Sequence, residues 1–283
     1  LDNLKRFLYE HHLINDIKSG IETRRFSGGF SNLTYLLLVE NKEYVLRRPP
    51  FGAVKRGHDM SREYKVLSNL YASFSKIPKV YAFTDDESIL GTPFYIMENA
   101  NGIILDYSEA NKRVINSSDF KIISNTWLDT FVTLHQVDYK TAGLEDLGKP
   151  EGYAERQITN WAKQYEKAKT DAIPESELVI KWLQNNQPKT HDNCLIHNDF
   201  KYDNVMFKDD SWTKINTVLD WEMCTLGDPL MDLGTSLSYW ITEDDTDALK
   251  KGLPSPTVFK GNPNRTEIVE LYSKKSGRTI NNL

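Results

Sequence analysis

Short apolar runs alternate with turn residues through the first third of the chain. Between residues 21 and 48 the polar stretches SGGFSN and ENK separate apolar segments, a pattern typical of three antiparallel strands. From His58 to Phe74 the apolar residues recur at helical spacing, which predicts an amphipathic helix packed on that sheet. Two further strands are expected near VYAFT and PFYIM. The pattern therefore predicts a small, sheet-rich lobe that carries one packed helix.

After Gly102 the apolar periodicity becomes mainly helical. Helices are predicted over Phe120–His135 and Tyr153–Lys169, and a third begins at Pro174, a residue favoured in the first helical turn. We therefore predict an α+β fold with residues 1–100 as the N-lobe and residues 101–283 as a larger, helical C-lobe. The hinge between them should lie at 98–102, and ligands commonly bind at such junctions.

Composition excludes several classes of protein. The chain has 283 residues, 39% of them hydrophobic, which is enough to build the core of a globular protein. No run approaches the roughly 18 apolar residues of a membrane span, and the two cysteines, Cys194 and Cys224, form no disulfide framework or zinc motif. The net charge of −5 is spread over 35 basic and 40 acidic residues, with no basic footprint for nucleic acid. We expect a cytoplasmic protein with neither a membrane nor a nucleic-acid partner.

The stretch from Leu195 to Gly234 carries the most chemical information. VMF and INTVL flank a polar turn and should pair as a hairpin centred near Trp212. Asn204 enters the first strand and Asp220 leaves the second, so antiparallel pairing should bring their side chains to one end of the hairpin. Carboxylate and amide oxygens suit Mg²⁺, whose remaining ligands are commonly nucleotide phosphates. Asn204 and Asp220 are therefore the predicted metal ligands.

Asp199 lies in the loop that precedes this hairpin, five residues before Asn204. A carboxylate there could accept the proton of a substrate hydroxyl, whereas His197 is interpreted as a loop-packing residue. A single aspartate of this kind is most often a solvated loop residue. The pattern H-x-D-x-x-x-x-N, followed by a hairpin and a second aspartate, matches the parts of a phosphoryl-transfer site. The ensemble predicts a kinase that uses ATP and Mg²⁺, with Asp199 as the catalytic base.

The motifs LIHNDFKYDN and VLDWEMCTLGDPLMDLG resemble the catalytic core of the aminoglycoside phosphotransferase and choline kinase-like superfamily. Together with FSGGFSNLTY, YVLRRPP and YAERQITNW, the resemblance spans nearly the whole chain and points to the branch found as the N-terminal domain of some acyl-CoA dehydrogenases. It implies a two-lobed, protein-kinase-like fold. Asp220 is followed by Trp221-Glu222 in place of the Phe-Gly of protein kinases, and no room is left for a long activation loop. The resemblance therefore implies a small-molecule acceptor.

The resemblance also implies how the nucleotide is held. The stretch SGGFSN, here called the glycine loop, should cover the triphosphate, because glycines let backbone N–H groups approach phosphate closely. Arg47 stands where most kinases carry lysine, and Glu63 matches the glutamate that orients that cation; a surface ion pair is the alternative reading. At the hinge, the Glu98 carbonyl and the Ala100 N–H should meet adenine. The predicted nucleotide-binding residues are Ser27, Gly28, Gly29, Phe30, Ser31, Asn32, Arg47, Glu63, Met97, Glu98 and Ala100.

Three other polar residues are interpreted as structural. Asp228 and Asp232 should hold the metal loop and cap the following helix. His135 lies among apolar residues at helical spacing and is interpreted as a core histidine. The role of Glu222 is left undecided.

The acceptor is the least specified part of the prediction. Residues 141–190 hold eight acidic and seven basic side chains, a balance that does not favour a polycationic aminoglycoside. The resemblance suggests a hydroxylated acyl compound or its CoA thioester. Arg156 could meet an anionic group of it, although a helix-surface role is the simpler reading. The chain stops before the C-terminal helices that wall the acceptor site in relatives, so an incomplete C-lobe is expected.

Alternatives from other classes stay open. A nucleotide-binding pseudokinase that serves as a regulatory or interaction module is favoured by Arg47, and it is opposed by the presence of Asp199, Asn204 and Asp220 together. A protein kinase is disfavoured by the missing activation segment. A magnesium-dependent hydrolase is weaker still, since no dedicated water-activating site is evident.

Overall fold

The N-terminal part of the chain is built on one antiparallel sheet. We describe it from a computed structural model, of which residues 1–26, 32–52, 59–187 and 192–280 are described. The strand order is β1-β2-β3-β5-β4, which confirms the predicted three-stranded unit and the two strands added to it. The strands are β1 (Glu22–Arg25), β2 (Leu33–Val39), β3 (Lys42–Arg48), β4 (Val80–Thr84) and β5 (Phe94–Glu98).

Both faces of this sheet are covered. One face packs on helix α2 (Met60–Leu70), the helix predicted from the apolar spacing after His58, and contributes to the main core. Tyr44, Leu46 and other residues of the opposite face pack on helix α1 (Asp2–Glu10). The four-residue helix α3 (Glu87–Leu90) connects β4 to β5. Arg47 therefore lies on the face that looks toward α2 and the second lobe, because neighbouring strand residues point to opposite faces.

The second lobe is mainly helical, as predicted. Its helices are α4 (Tyr107–Lys112), α5 (Ser117–His135), α6 (Tyr153–Ala168), α7 (Pro174–Asn185), α8 (Pro229–Ser238), α9 (Asp247–Gly252) and α10 (Arg265–Ser276). Its short strands are β6 (Ile103–Ile104), β7 (Cys194–Ile196), β8 (Val205–Phe207), β9 (Ile215–Val218) and β10 (Thr225–Gly227). Strands β6, β8 and β9 form one small sheet, and β7 pairs with β10. These strands carry the polar loops between them.

An aromatic cluster fixes the loop that carries Asp199 to helix α5. Phe200 is fully buried, its ring lies 4.5 Å from that of Phe131 in a stacked arrangement, and Trp127 lies 5.3 Å away. Burying a large apolar side chain of this kind contributes about 1.5 to 3 kcal/mol. The residue next to Asp199 is thus held in the core of the lobe.

A glycine allows the close approach at the point where the two lobes join. Gly102 has φ 155°, and a Cβ atom there would lie 2.3 Å from the Phe207 carbonyl oxygen. Any larger residue would push β6 away from β8, to which it pairs through Ile103 and Phe207. Glycine is therefore required where the chain enters the second lobe.

Helices α6 and α7 differ from the rest of the lobe in burial. In α6 only Tyr153 and Ala154, at its first turn, are buried, and no residue of α7 is buried. Large apolar side chains are exposed on both helices, including Trp161 (59%) and Trp182 (61%). Within the described ranges, no helix is long and apolar enough to cross a bilayer.

Candidate active site

Asp199 lies in the loop after β7 and is contacted by two donors. The Lys201 Nζ atom lies 2.9 and 3.1 Å from its two carboxylate oxygens. The Asn204 side-chain amide donates to the Asp199 Oδ2 atom over 2.6 Å. The Asp199 side chain is 19% exposed, so part of it stays open to solvent. The structure thus brings the predicted base and one predicted metal ligand into direct contact.

Buried Asp232 holds the backbone of this loop. Its two oxygens accept from the backbone N–H groups of His197 (2.7 Å) and Asn198 (2.8 Å). His135 donates to Asp232 from its Nε2 atom at 3.1 Å, and its Nδ1 atom lies 2.7 Å from the Tyr272 hydroxyl. Asp232 and His135 have no exposed side-chain surface. Both therefore act on the shape of the loop, in agreement with their interpretation as structural residues.

His197 is a packing residue, as the sequence suggested. Its ring is buried and lies 4.8 Å from the Trp221 ring. Its Nε2 atom donates to the Leu219 carbonyl oxygen over 3.0 Å, which leaves Nδ1 to accept from the Asp199 N–H. Burial lowers the pKa of His197, so the imidazole is neutral at physiological pH. A neutral ring with both nitrogens engaged cannot take a substrate proton.

The second predicted metal ligand, Asp220, lies at the end of the hairpin near Asn204. The hairpin forms, but its register differs from the prediction by one residue. Val205 pairs with Val218, and a bulge between Met206 and Phe207 moves its centre away from Trp212. Asn204 is consequently opposite Leu219, whose N–H donates to the Asn204 carbonyl over 2.8 Å. Asp220 follows in the left-handed conformation, with φ 64°.

Arg47 reaches three carboxylates at once. Its guanidinium lies 3.1 Å from Glu63, 2.5 Å from Asp220 and 3.3 Å from Glu222. Arg47 is 13% exposed and Glu63 is 3% exposed, so the alternative of a surface ion pair is wrong. Burial alone would lower the pKa of Arg47, but Glu63 and its other acidic neighbours raise it. The arginine is a permanent cation that links α2 to the loop carrying Asp220.

Glu222 joins this network from the second lobe, a contact that the sequence left undecided. Its Oε2 atom accepts from the Asn32 side-chain amide over 2.8 Å and from Arg47. Asn32 is the one predicted glycine-loop residue within the described part of the chain. The other five, Ser27, Gly28, Gly29, Phe30 and Ser31, lie outside the described residues. The end of this loop therefore approaches the residue two positions after Asp220.

The predicted hinge residues lie at and after the end of β5. Met97 is buried, Glu98 is exposed and Ala100 is half-buried. The Glu98 N–H donates to the Lys79 carbonyl over 2.8 Å, and its carboxylate accepts from the Lys79 N–H. Glu98 pairs with Tyr44 of β3, so the segment that follows it leaves the sheet beside the Arg47 strand.

Sequence reasoning missed Lys201 and the contact between Tyr153 and the loop that carries Asp199. Lys201 stands two residues after Asp199 in the same polar loop, but this spacing does not by itself show that the side chain turns toward the carboxylate. Tyr153, at the start of α6, exchanges hydrogen bonds with the Asn198 side chain at 3.0 and 3.2 Å. That contact joins segments 45 residues apart, so no local sequence pattern could have predicted it. It ties α6 to the loop that carries Asp199.

Comparison with known proteins identifies the family. The profile of the APH phosphotransferase enzyme family matches residues 22–253, a range that contains Asp199, Asn204, Asp220 and Arg47. The chain belongs to this phosphotransferase enzyme family. The kinase-like fold and the resemblance proposed from the motifs are thereby confirmed.

Curated relatives of this family member are longer proteins. The chain is 33% identical over 270 residues to acyl-CoA dehydrogenase family member 11 of Gallus gallus, covering 93% of this chain and 34% of the relative. It is 34% identical over 245 residues to acyl-CoA dehydrogenase family member 10 of Mus musculus, covering 83% of this chain and 23% of the relative. The chain thus spans about a third or less of the length of these relatives.

Solved structures agree on the fold. A Ralstonia eutropha protein provisionally classed as an aminoglycoside phosphotransferase superposes with a TM-score of 0.80 and 30% identity, covering 99% of this chain and 81% of that one. APH(2″)-IIa in its ternary complex with streptomycin and ATP superposes with a TM-score of 0.55 and 20% identity, covering 96% and 85%. The second similarity shows the fold alone.

Proposed function

We propose that this phosphotransferase family member transfers a phosphoryl group from ATP to the hydroxyl of a small molecule, with Mg²⁺ as its cofactor. The observation that carries the proposal is the contact of Asp199 with Asn204 beside a hairpin end where Asp220 meets buried Arg47. These are the parts that phosphoryl transfer requires: a base, oxygen ligands and a cation fixed near the phosphates. We further propose residues 1–100 as the nucleotide-binding lobe and residues 101–283 as the catalytic lobe.

The donor chemistry fits Mg²⁺. Asn204 and Asp220 offer an amide and a carboxylate oxygen, which are hard ligands. Among the described residues, no three His, Cys, Asp or Glu side chains gather into a closed metal cage. That fits an ion held by one or two protein ligands with phosphates and water completing its shell. When bound, Mg²⁺ would neutralise phosphate charge.

The remaining predicted residues would bind and orient the nucleotide. Arg47, held by Glu63, would present a fixed positive charge to the phosphates, and Asn32 would end the loop that covers them. Met97, Glu98 and Ala100 would form the adenine side of the cleft. ATP is the proposed nucleotide because the family resemblance implies it.

For the acceptor we propose a hydroxyacyl compound, free or as its CoA thioester. The names of the curated relatives, acyl-CoA dehydrogenase family members 10 and 11, support this class. Arg156 does not add to the argument, because its guanidinium donates to the backbone carbonyls of Lys149 and Glu151. That contact favours a local structural role for Arg156. The proposed cellular location is the cytoplasm.

Replacing the proposed base tests the function. Purified protein with ATP and Mg²⁺ is assayed for ADP release across hydroxyacyl-CoAs, hydroxy acids, choline-like alcohols and aminoglycosides. Asp199→Asn keeps the side-chain size and should lower acceptor-dependent turnover about 10² to 10⁴ fold, because the proton of the hydroxyl loses its acceptor. ATP affinity, measured by calorimetry, should change little.

Two outcomes would contradict the proposal. Unchanged turnover in Asp199→Asn would remove Asp199 from the base role. ATP binding without turnover on any acceptor would favour the pseudokinase alternative, and an extended chain carrying the further residues found in relatives would serve as its control.

A further inference from the structure

Among the residues that the structure describes, the cation nearest to the proposed base is Lys201. In the described part of the chain, Asp199 forms an ion pair with Lys201 and with no other cation. The Lys201 ammonium also lies 4.7 Å from the centre of the Tyr239 ring, at the end of α8. An ammonium over an aromatic face is attracted by the ring, so Tyr239 gives Lys201 a second anchor inside the cleft.

Lys201 keeps its charge in this position. Burial alone would lower the pKa of Lys201, but the hydrogen bond to Asp199 raises it above the usual value. The side chain is 27% exposed, so the ammonium lies at the cleft surface and not in the core. A lysine also has a flexible stem and a compact charge that can turn from one anion to another.

Arg47, the other cation described at the site, is already engaged. Arg47 is shared among Glu63, Asp220 and Glu222, so three carboxylates surround one guanidinium. A transferring phosphoryl group would add further negative charge to this cleft. Lys201 is the described cation whose only ion pair is with the proposed base itself.

Geometry then determines what Lys201 can reach. An acceptor hydroxyl within hydrogen-bond reach of Asp199, about 2.6 to 3.2 Å, must also have its oxygen about 3 to 3.5 Å from the phosphorus that it attacks. Oxygens of the phosphoryl group consequently lie a few ångströms from the Asp199 carboxylate. An ammonium that contacts both oxygens of this carboxylate is adjacent to that place.

We propose that Lys201 is a second catalytic cation. Its ammonium moves away from Asp199 and contacts the phosphoryl group that passes from nucleotide to acceptor, while the Tyr239 ring keeps the Lys201 side chain close to the site. This inference rests on the proposed function. In the step, the acceptor oxygen forms a bond to the terminal phosphorus as the bond from phosphorus to the bridging oxygen breaks. ADP leaves with that electron pair, and the hydroxyl proton passes to Asp199. Lys201 remains protonated throughout.

Nucleotide affinity tests the contact without depending on turnover. Binding of ATP and ADP with Mg²⁺ is measured by calorimetry for the unmodified protein, Lys201→Met and Lys201→Arg. Lys201→Met loses one charge-assisted contact to the terminal phosphate, so its affinity for ATP should fall about tenfold. ADP affinity should stay constant, and Lys201→Arg should recover part of the loss. The inference would be overturned if Lys201→Met bound ATP and ADP as tightly as the unmodified protein does. It would also be overturned if the variant lost affinity for both nucleotides to the same extent.

Turnover supplies the second readout. With an accepted alcohol, Lys201→Met should lower kcat about 10² fold or more, the usual cost of removing one donor to developing charge. Tyr239→Phe keeps the ring and should retain kcat, whereas Tyr239→Leu removes the ring and should lower it several fold. An unchanged kcat in Lys201→Met would refute a catalytic role.

The two proposals can fail separately. Suppose that the unmodified protein phosphorylates no acceptor, but Lys201→Met loses affinity for ATP and not for ADP. The proposed function is then wrong, and the contact of Lys201 with the terminal phosphate stands. If the unmodified protein phosphorylates an alcohol and Lys201→Met behaves identically, the proposed function stands and Lys201 returns to the role of a loop residue.

Discussion

At the scale of single residues, Arg47 decides how the two halves of the site are connected. One guanidinium contacts Glu63 on α2 and Asp220 and Glu222 after β9. The planar fork of arginine can donate to groups on separate elements at the same time, whereas a lysine ammonium is a compact point charge. Arg47 stands where most kinases carry lysine, and Glu222 gives this arginine a third acidic partner.

Removing Arg47 should destabilise the protein strongly. Arg47→Met leaves Glu63 buried without a counter-charge, and breaking a buried pair in this way costs about 3 to 5 kcal/mol. Arg47→Lys should lose less, since it keeps the charge. Urea unfolding at neutral pH measures both. The control is Lys65→Met, which breaks an ion pair with Asp146 whose side chains are 42% and 66% exposed. That pair should be worth at most about 1 kcal/mol, and similar losses for the two methionine variants would contradict the prediction.

Residue types and spacing within one motif were enough to predict that Asp199 and Asn204 lie close together, whereas the Arg47–Glu63 contact between β3 and α2 was predicted from the family resemblance. Lys201 stood in the same motif, but spacing alone does not show which way a flexible side chain turns. Glu222 needed knowledge of the left-handed Asp220, which redirects the chain just before it.

At the scale of elements, the sequence predicts regular strands and helices better than their irregularities. The hairpin of β8 and β9 forms where predicted, yet one bulge shifts its register by a residue. A bulge depends on local packing as well as pattern. Helix α1 was not predicted from the sequence, because charged residues are spread among its apolar positions. Leu4, Phe7 and Leu8 are buried and stand at helical spacing, so this signal was present in the sequence.

The start of α10 carries a pH-dependent contact. Both Asp245 oxygens accept from the Arg265 guanidinium, at 2.9 and 2.7 Å. Arg265, together with the Thr242 N–H, holds the pKa of Asp245 at about 2, below the usual value. Above about pH 4 both the folded and the unfolded chain have this carboxylate ionised, and the contact contributes its full stability. As pH falls from about 4 to 2, the unfolded chain takes up a proton first, and the contribution is lost.

Asp245→Asn should therefore lower the free energy of unfolding by about 1 kcal/mol at pH 7. The difference from the unmodified protein should shrink as the pH falls below about 4. Urea unfolding at pH 7, 5, 4 and 3 measures it. Asp244→Asn makes the same charge change at an exposed neighbour and serves as the control. A loss that stays constant from pH 7 to pH 3 would show that Asp245 does not titrate as described.

At the scale of the whole molecule, stability is distributed unevenly. The loop that carries Asp199 is bonded through Asp232 and His135 to helices α8 and α5, and Tyr272 extends this chain of hydrogen bonds to α10. Helices α6 and α7 contribute only Tyr153 and Ala154 to the buried interior. Regular secondary structure and local stability therefore do not coincide in this fold.

The buried carboxylate of Asp232 has a consequence for amide hydrogen exchange. The His197 and Asn198 amides lie in a loop, yet they should exchange more slowly than amides of α7, because release requires opening the core around Asp232. Mass spectrometry of the native protein in D₂O measures both segments. Tyr272→Phe removes only the hydroxyl beside His135 and should speed exchange in the loop while leaving β5 unchanged. If loop and α7 amides exchanged equally fast, the prediction would be wrong. If it holds, the loop that carries Asp199 opens more rarely than a regular helix of the same lobe.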